Sequence, residues 1–246
     1  FLSTGFDLDE LAFLIDELHI PLVKVASGDL TFAPMLVEAG LANLPTILST
    51  GMANLEEIER SIKFIAFGYA VSNGLVSAEL KPTETVLENT FKLPALRPIL
   101  EEKLTILHCT TQYPAELDIL NLQAIRVIAE RFGLKVGYSD HSAGTLASVV
   151  AVSLGATVIE KHFTLDKNME GPDHAASLDP AELTELVSLI RQASTAMGEP
   201  VKECQPIEVS NRAAVRRSLV ATRQIKAGEV ITEADLECRR PGAGRT

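Results

Sequence analysis

The chain has 246 residues, 46% of them hydrophobic and 22% charged, with a formal net charge of −11. That composition suits a globular protein with a substantial core; the acidity argues against a general nucleic-acid or acidic-membrane surface but leaves room for a basic pocket that takes an anionic substrate. No apolar run reaches the roughly 18 residues needed to span a bilayer, and three scattered cysteines, Cys109, Cys204 and Cys238, favour a reducing, cytoplasmic setting.

Residues 1–4 read as the end of a strand already under way, and the turn-like run 239–244 has nothing after it to pack against, so the chain is expected to be part of a longer protein. Between those ends, short β-branched or apolar runs predict strands over 22–26, 46–49, 104–109, 136–139 and 157–162. Segments of helical period fall between and after them, over 7–18, 31–42, 54–66, 121–132, 142–154 and 180–197. Asn and Asp residues ahead of several helices suit N-caps, and Gly40, Gly133 and Gly155 stand where helices would end on a glycine. Strand–helix alternation of this kind means a parallel sheet with crossover helices.

The α/β fold is either a doubly wound sheet or a closed barrel. No Gly-rich phosphate turn (GxGxxG or GxxxxGK[ST]) follows an early strand. Polar residues cluster instead at the C-terminal ends of almost every strand: Ser27, Ser49-Thr50, Thr110-Thr111, Ser139-Asp140-His141 and Glu160-Lys161-His162. Convergence of several strand ends on one site is the habit of a (β/α)8 TIM barrel. Counting the clipped strand at Phe1 gives six strands, so two are expected to be missing from the N-terminus, leaving a polypeptide that is inactive and poorly stable by itself.

Residues 67–102 hold Gly68, Gly74, Pro82, Pro94 and Pro98 and read as an insertion with at most short helices, either covering a site or making a surface excursion. The domain organisation expected is therefore a partial barrel over 1–198, a polar linker over 199–214 and the start of a small β-rich domain over 215–246, with short strands at 218–221 and 228–231.

His141 and His162 stand at the ends of neighbouring strands, each beside carboxylates. Adjacent strands lie about 4.8 Å apart, so the two imidazoles could meet at one cation and leave positions for water and substrate; hydrogen-bonded structural histidines are the other reading. Lys24, inside an apolar strand and followed by Ser27-Gly28-Asp29, is costly to bury unless paired. With the hydroxyls of Ser49-Thr50-Gly51 it could bind phosphate or carboxylate, or it could be a salt-bridged strand lysine. Gly171-Pro172-Asp173-His174 forms a turn that could aim Asp173 over the barrel mouth or cap the helix near Pro180, and Tyr113-Pro114 is either a hydroxyl in the site or a hydrophobic plug.

Taken in order, Lys24-Val25-Ala26-Ser27-Gly28-Asp29, Ser49-Thr50-Gly51-Met52, His108-Cys109-Thr110-Thr111-Gln112-Tyr113-Pro114, Gly137-Tyr138-Ser139-Asp140-His141, Val158-Ile159-Glu160-Lys161-His162-Phe163-Thr164-Leu165-Asp166 and Gly171-Pro172-Asp173-His174 resemble the bacterial N-acetylneuraminate (sialic acid) synthase family, which includes N,N'-diacetyllegionaminate synthases. Arg216-Arg217-Ser218-Leu219 through Arg240-Pro241-Gly242 resembles the beginning of that family's antifreeze-like (SAF) domain, so the likeness runs essentially end to end.

The resemblance implies a phosphoenolpyruvate-dependent enzyme that condenses phosphoenolpyruvate with an N-acetylmannosamine-type sugar to a nonulosonic acid and phosphate. It implies His141 and His162 as ligands of a divalent ion, manganese ahead of magnesium or cobalt, and Lys24, Ser27, Ser49, Thr111 and Ser139 as the phosphoenolpyruvate pocket. Tyr113 and Asp173 match contacts to the acylamino sugar, and Glu160 an acidic residue beside the metal. Arg240 matches an arginine that one subunit of a domain-swapped homodimer inserts into its partner's barrel. Thr111 departs from an Asn of some members. Asp29 departs from a Glu that handles protons near the sugar, keeping the carboxylate one methylene shorter. The 67–102 segment suggests the legionaminate branch. A non-catalytic sugar- or phosphate-binding barrel, an interaction protein using the C-terminal domain and a pyruvate-using metal aldolase are the competing readings.

Overall fold

The computed structural model describes residues 1–240. Five strands, β1 (Val23–Val25), β2 (Thr46–Ser49), β3 (Leu104–Cys109), β4 (Lys135–Asp140) and β5 (Ile159–Lys161), pair in parallel in that order. Single parallel bridges extend the sheet at both edges, Thr4 to Lys24 and Phe163 to Leu178. The strand expected at the start of the chain is thus one bridge wide, and Leu178 adds a strand position that periodicity could not reveal because one residue pair carries no alternation.

Between the strands run α1 (Leu8–Asp16), α2 (Ala33–Leu41), α3 (Leu55–Ser72), α4 (Glu84–Phe91), α5 (Leu96–Lys103), α6 (Ala124–Phe132) and α7 (Leu146–Ser153), with α8 (Pro180–Met197) after Leu178. Asp7, Asn54 and Asp179 cap α1, α3 and α8 through their side chains. Gly133 ends α6 in the left-handed conformation that a Cβ would disfavour, with φ 61°. Strand residues facing the helices, among them Val23, Val25, Leu48, Leu104, Ile106, Val136 and Tyr138, form one core with Leu36, Ile62, Ile65, Tyr69 and Leu100.

Two expectations about the helices are corrected. The segment 67–102 does not leave the alternation at Phe67: α3 continues to Ser72, with Phe67, Tyr69 and Ala70 buried, and Leu87, Leu96 and Leu100 bury α4 and α5 as part of the crossover to β3. Gly40 is no helix terminator. It lies inside α2, where an added Cβ would stand 2.2 Å from the Ile65 carbonyl oxygen and 2.9 Å from Gly68 Cα.

That crossing yields a prediction. A Cβ on Gly68 would meet the Val37 carbonyl oxygen at 2.3 Å and Gly40 Cα at 2.7 Å, backbone that cannot step aside. Gly68→Ala would gain about 1 kcal/mol of helix propensity, but overpacking costs about 1–3 kcal/mol and more against rigid backbone. We expect net destabilisation, read as a fall of several degrees in the melting temperature; a variant melting at or above the parent would show that α2 and α3 can separate freely.

The chain divides into two compact units, Phe1–Gly198 and Glu199 onward. The second holds α9 (Val209–Val215), all but its last residue in the stretch read as linker, and an antiparallel pair of β6 (Ser218–Ala221) with β7 (Leu236–Arg239). The strand expected at 228–231 is absent there: Gly228 takes φ 90° in a turn, and Val230 and Ile231 are exposed. Of the turn expected over 239–244, everything from residue 241 onward lies outside the described residues. No helix among the described residues is long and apolar enough to cross a membrane.

Candidate active site

Strand alternation sorts the polar strand ends onto two faces. The β4–β5 register pairs Ser139 with Glu160 and Asp140 with Lys161, so Ser139 and Glu160 share one face and Asp140 and Lys161 the other. Lys24, Ser49, Cys109, Ser139 and Glu160 fall on the face away from the helices, whereas His108 pairs with Tyr138 on the helix side.

The sheet is strongly curled. Lys24 on β1 and Glu160 on β5 belong to the outermost strands, which a flat sheet would hold about 19 Å apart at the usual strand spacing. Lys24 Nζ nevertheless lies 3.6 Å from Glu160 Oε2 and donates to Ser49 Oγ at 2.9 Å. Ser139 Oγ donates to the other Glu160 oxygen at 2.7 Å and lies 3.3 Å from His141 Nε2. One chain of contacts thus runs across the concave face from Ser49 through Lys24, Glu160 and Ser139 to His141.

The two histidines do come together. Their ring centroids are 5.5 Å apart with planes at 89°. Tyr113 lies over His141 at 4.1 Å between centroids and within 5.5 Å of His162. His141 Nδ1 is 2.7 Å from the Thr110 carbonyl, an acceptor that assigns the proton to Nδ1 and leaves Nε2 with a lone pair. Burial lowers the His141 pKa, which favours the neutral ring. A histidine whose second nitrogen is fixed by a carbonyl is the arrangement metal-ligating imidazoles use, so this residue pair fits a divalent ion. No set of three or more His, Cys, Asp and Glu side chains among the described residues is placed to hold an ion, so the histidines would supply two donors and leave the rest to water and substrate. Asp173 Oδ2 lies 3.7 Å from His162 Nδ1, over the mouth as one sequence reading had it, while Asp179 takes the capping role at α8. His174 sits against Thr164 Oγ1 at 2.7 Å.

A second cluster lies beside Lys24. Gly51 N donates to Ser27 Oγ at 2.9 Å, and Ser27 Oγ lies 3.1 Å from Cys109 Sγ. A Cβ on Gly51 would stand 2.3 Å from Thr111 Oγ1 and 2.8 Å from Cys109 Sγ, so only glycine allows these groups to converge. Asp29 occupies a short 3-10 turn, Ser27–Asp29, and its carboxyl pKa is raised by burial against the opposing pull of Lys24. Arg240 is exposed just after β7 in the second unit. Sequence reading assigned no role to Cys109 or to the Thr110 carbonyl. Their signal lies in strand register and backbone direction, which residue type does not carry.

A curled parallel sheet with polar groups gathered at the C-terminal strand ends defines an α/β-barrel architecture. The profile of the NeuB family matches residues 1–202 and that of the SAF domain residues 216–246. The chain belongs to the NeuB family. It is 43% identical over 99% of its length to the N,N'-diacetyllegionaminic acid synthase of Campylobacter jejuni and 40% identical over 99% to that of Legionella pneumophila, spanning 64% and 61% of those proteins. The N-acetylneuraminic acid (sialic acid) synthetase of Leptospira borgpetersenii, solved with citrate, superposes with a TM-score of 0.67 at 28% identity, over 86% of this chain and 64% of that one. The chain therefore spans less than two thirds of the length of these relatives.

Proposed function

We propose that the protein condenses phosphoenolpyruvate with an open-chain acetamido-mannose-type sugar to give a nonulosonic acid and inorganic phosphate. The observation that carries this reading is the contact chain across the concave face, which places a cationic and hydroxyl-rich cluster next to a paired-imidazole cluster within one family fold. Lys24, Ser49, Ser27, Thr111 and Ser139 hold the phosphate and carboxylate of phosphoenolpyruvate, with the Gly51 N–H beside them. Tyr113 and Asp173 face the sugar.

His141 and His162 would hold a divalent ion; manganese suits them better than magnesium, which prefers an all-oxygen shell, and cobalt is the alternative. When bound, such an ion supplies Lewis acidity where negative charge develops at the sugar aldehyde oxygen. In the reaction, C3 of phosphoenolpyruvate bonds to the aldehyde carbon, that oxygen takes a proton, water adds at C2, and phosphate leaves from C2. Asp29, Glu160 and Asp173 hold or pass those protons; burial raises the Asp29 pKa, a direction that favours a group able to carry a proton. Arg240 comes from the second subunit of a cytoplasmic, domain-swapped homodimer.

The legionaminic relatives support a 2,4-diacetamido-6-deoxy sugar ahead of N-acetylmannosamine. The test is phosphate release and product mass from the full-length protein with manganese, phosphoenolpyruvate and a panel of acetamido sugars. A condensed acid with stoichiometric phosphate is expected. Pyruvate consumption without phosphate would indicate an aldolase, and binding of phosphoenolpyruvate without turnover a non-catalytic barrel.

A further inference from the structure

Directly behind the two histidines, on the opposite face of the sheet, lies a buried ion pair. Lys161 Nζ is 3.1 Å from Asp140 Oδ2, with side-chain exposures of 4% and 0%. Every oxygen of that carboxylate is used: Oδ1 accepts from Ser142 N at 2.9 Å and Ser142 Oγ at 2.6 Å, and Oδ2 accepts from Ser148 Oγ of α7 at 2.6 Å. Lys161 also donates to the Ser142 carbonyl. Burial lowers the Lys161 pKa while Asp140 pulls it back up.

Hydrophobic residues of similar size would serve stability at this position as well or better, because desolvating two charges offsets most of their attraction. What the pair supplies instead is geometry. Asp140 immediately precedes His141 and Lys161 immediately precedes His162, and the two are direct partners in the β4–β5 register. The pair therefore ties the strand ends, the loop at Ser142 and the first turn of α7 into one rigid unit. From that unit both imidazoles project to the concave face. Beyond the pair, each histidine main chain has one further tether, Ala115 N donating to the His141 carbonyl and Leu178 N to the His162 carbonyl, both at 2.9 Å.

We propose that Asp140 and Lys161 are positioning residues that set the separation and angle of the His141 and His162 rings, and so the affinity of that pair for a divalent ion. This rests on the paired-histidine reading above.

The test is Mn2+ affinity, by electron paramagnetic resonance of free Mn2+, in the full-length protein, its Asp140→Asn/Lys161→Met double variant and Ser148→Ala, with thermal melting measured alongside. The double variant removes both charges, whereas Ser148→Ala removes only one hydrogen bond and is the milder perturbation of the same frame. The expected result is near-parental melting with Mn2+ affinity weakened about 10–100-fold in the double variant, as for lost outer-shell partners of metal ligands, and a smaller loss in Ser148→Ala. Parental affinity in every variant that folds would overturn the positioning role while leaving the histidine site intact. Absence of Mn2+ binding by the unsubstituted protein would overturn the site reading itself.

Discussion

His141→Ala is expected to lower phosphoenolpyruvate-dependent phosphate release by about 10²–10³-fold or more, and to make the residual rate insensitive to added manganese. The fold should survive. The ring gives up a hydrogen bond to the Thr110 carbonyl and a tilted ring contact with Tyr113, worth about 1 kcal/mol and about 0.5–1.5 kcal/mol respectively. The Thr110 residue is only partly buried, so water can replace the lost donor. That loss is small against the 5–15 kcal/mol typical of a domain and corresponds to a melting shift of several degrees. Phosphate release at parental rate by a folded His141→Ala protein would remove the metal assignment. An unfolded variant would mean that the imidazole is a core residue, the structural alternative open for any strand-end histidine.

How much of this was readable in the residues depends on scale. Strand spans 46–49 and 104–109 and the helix 180–197 coincide with β2, β3 and α8 because their ends carry strong signals: polar strand ends, and an Asp179-Pro180 start that makes a capping box with Glu182. The site residues were legible as polar groups at strand ends. Which face each occupies was not, since Asp140 and His141 look alike as polar neighbours until the register with β5 is known. The same holds for His108, whose ring turns from the site to the Leu120 carbonyl. Gly40 was misread as a helix end and Gly68 as part of an insertion because a glycine that interrupts a helix and one that lets two helices touch are the same residue; only the approach of α3 to α2 distinguishes them. The exposed run 228–231 failed as a strand because an apolar pattern needs a partner strand, and β6 takes β7 instead.

The largest effect on stability is expected from Lys161→Met, which leaves the Asp140 carboxylate buried without its cation. Breaking a buried pair at one end costs about 3–5 kcal/mol, because the surviving charge keeps its desolvation penalty and loses its attraction. Three hydrogen bonds remain, from Ser142 N, Ser142 Oγ and Ser148 Oγ. They soften the loss toward the lower end of that range, since bonds to a charged acceptor are worth about 1.5–3 kcal/mol each. Adding Asp140→Asn removes the stranded charge, keeps an acceptor for Ser142, and should recover most of the stability. Chemical denaturation decides the matter: the midpoint should fall in the single variant and return toward the parent in the double, with an unchanged slope showing that the unfolding transition is the same one. A single variant as stable as the parent would mean that the hydrogen-bond frame, not the charge, holds the strand ends together.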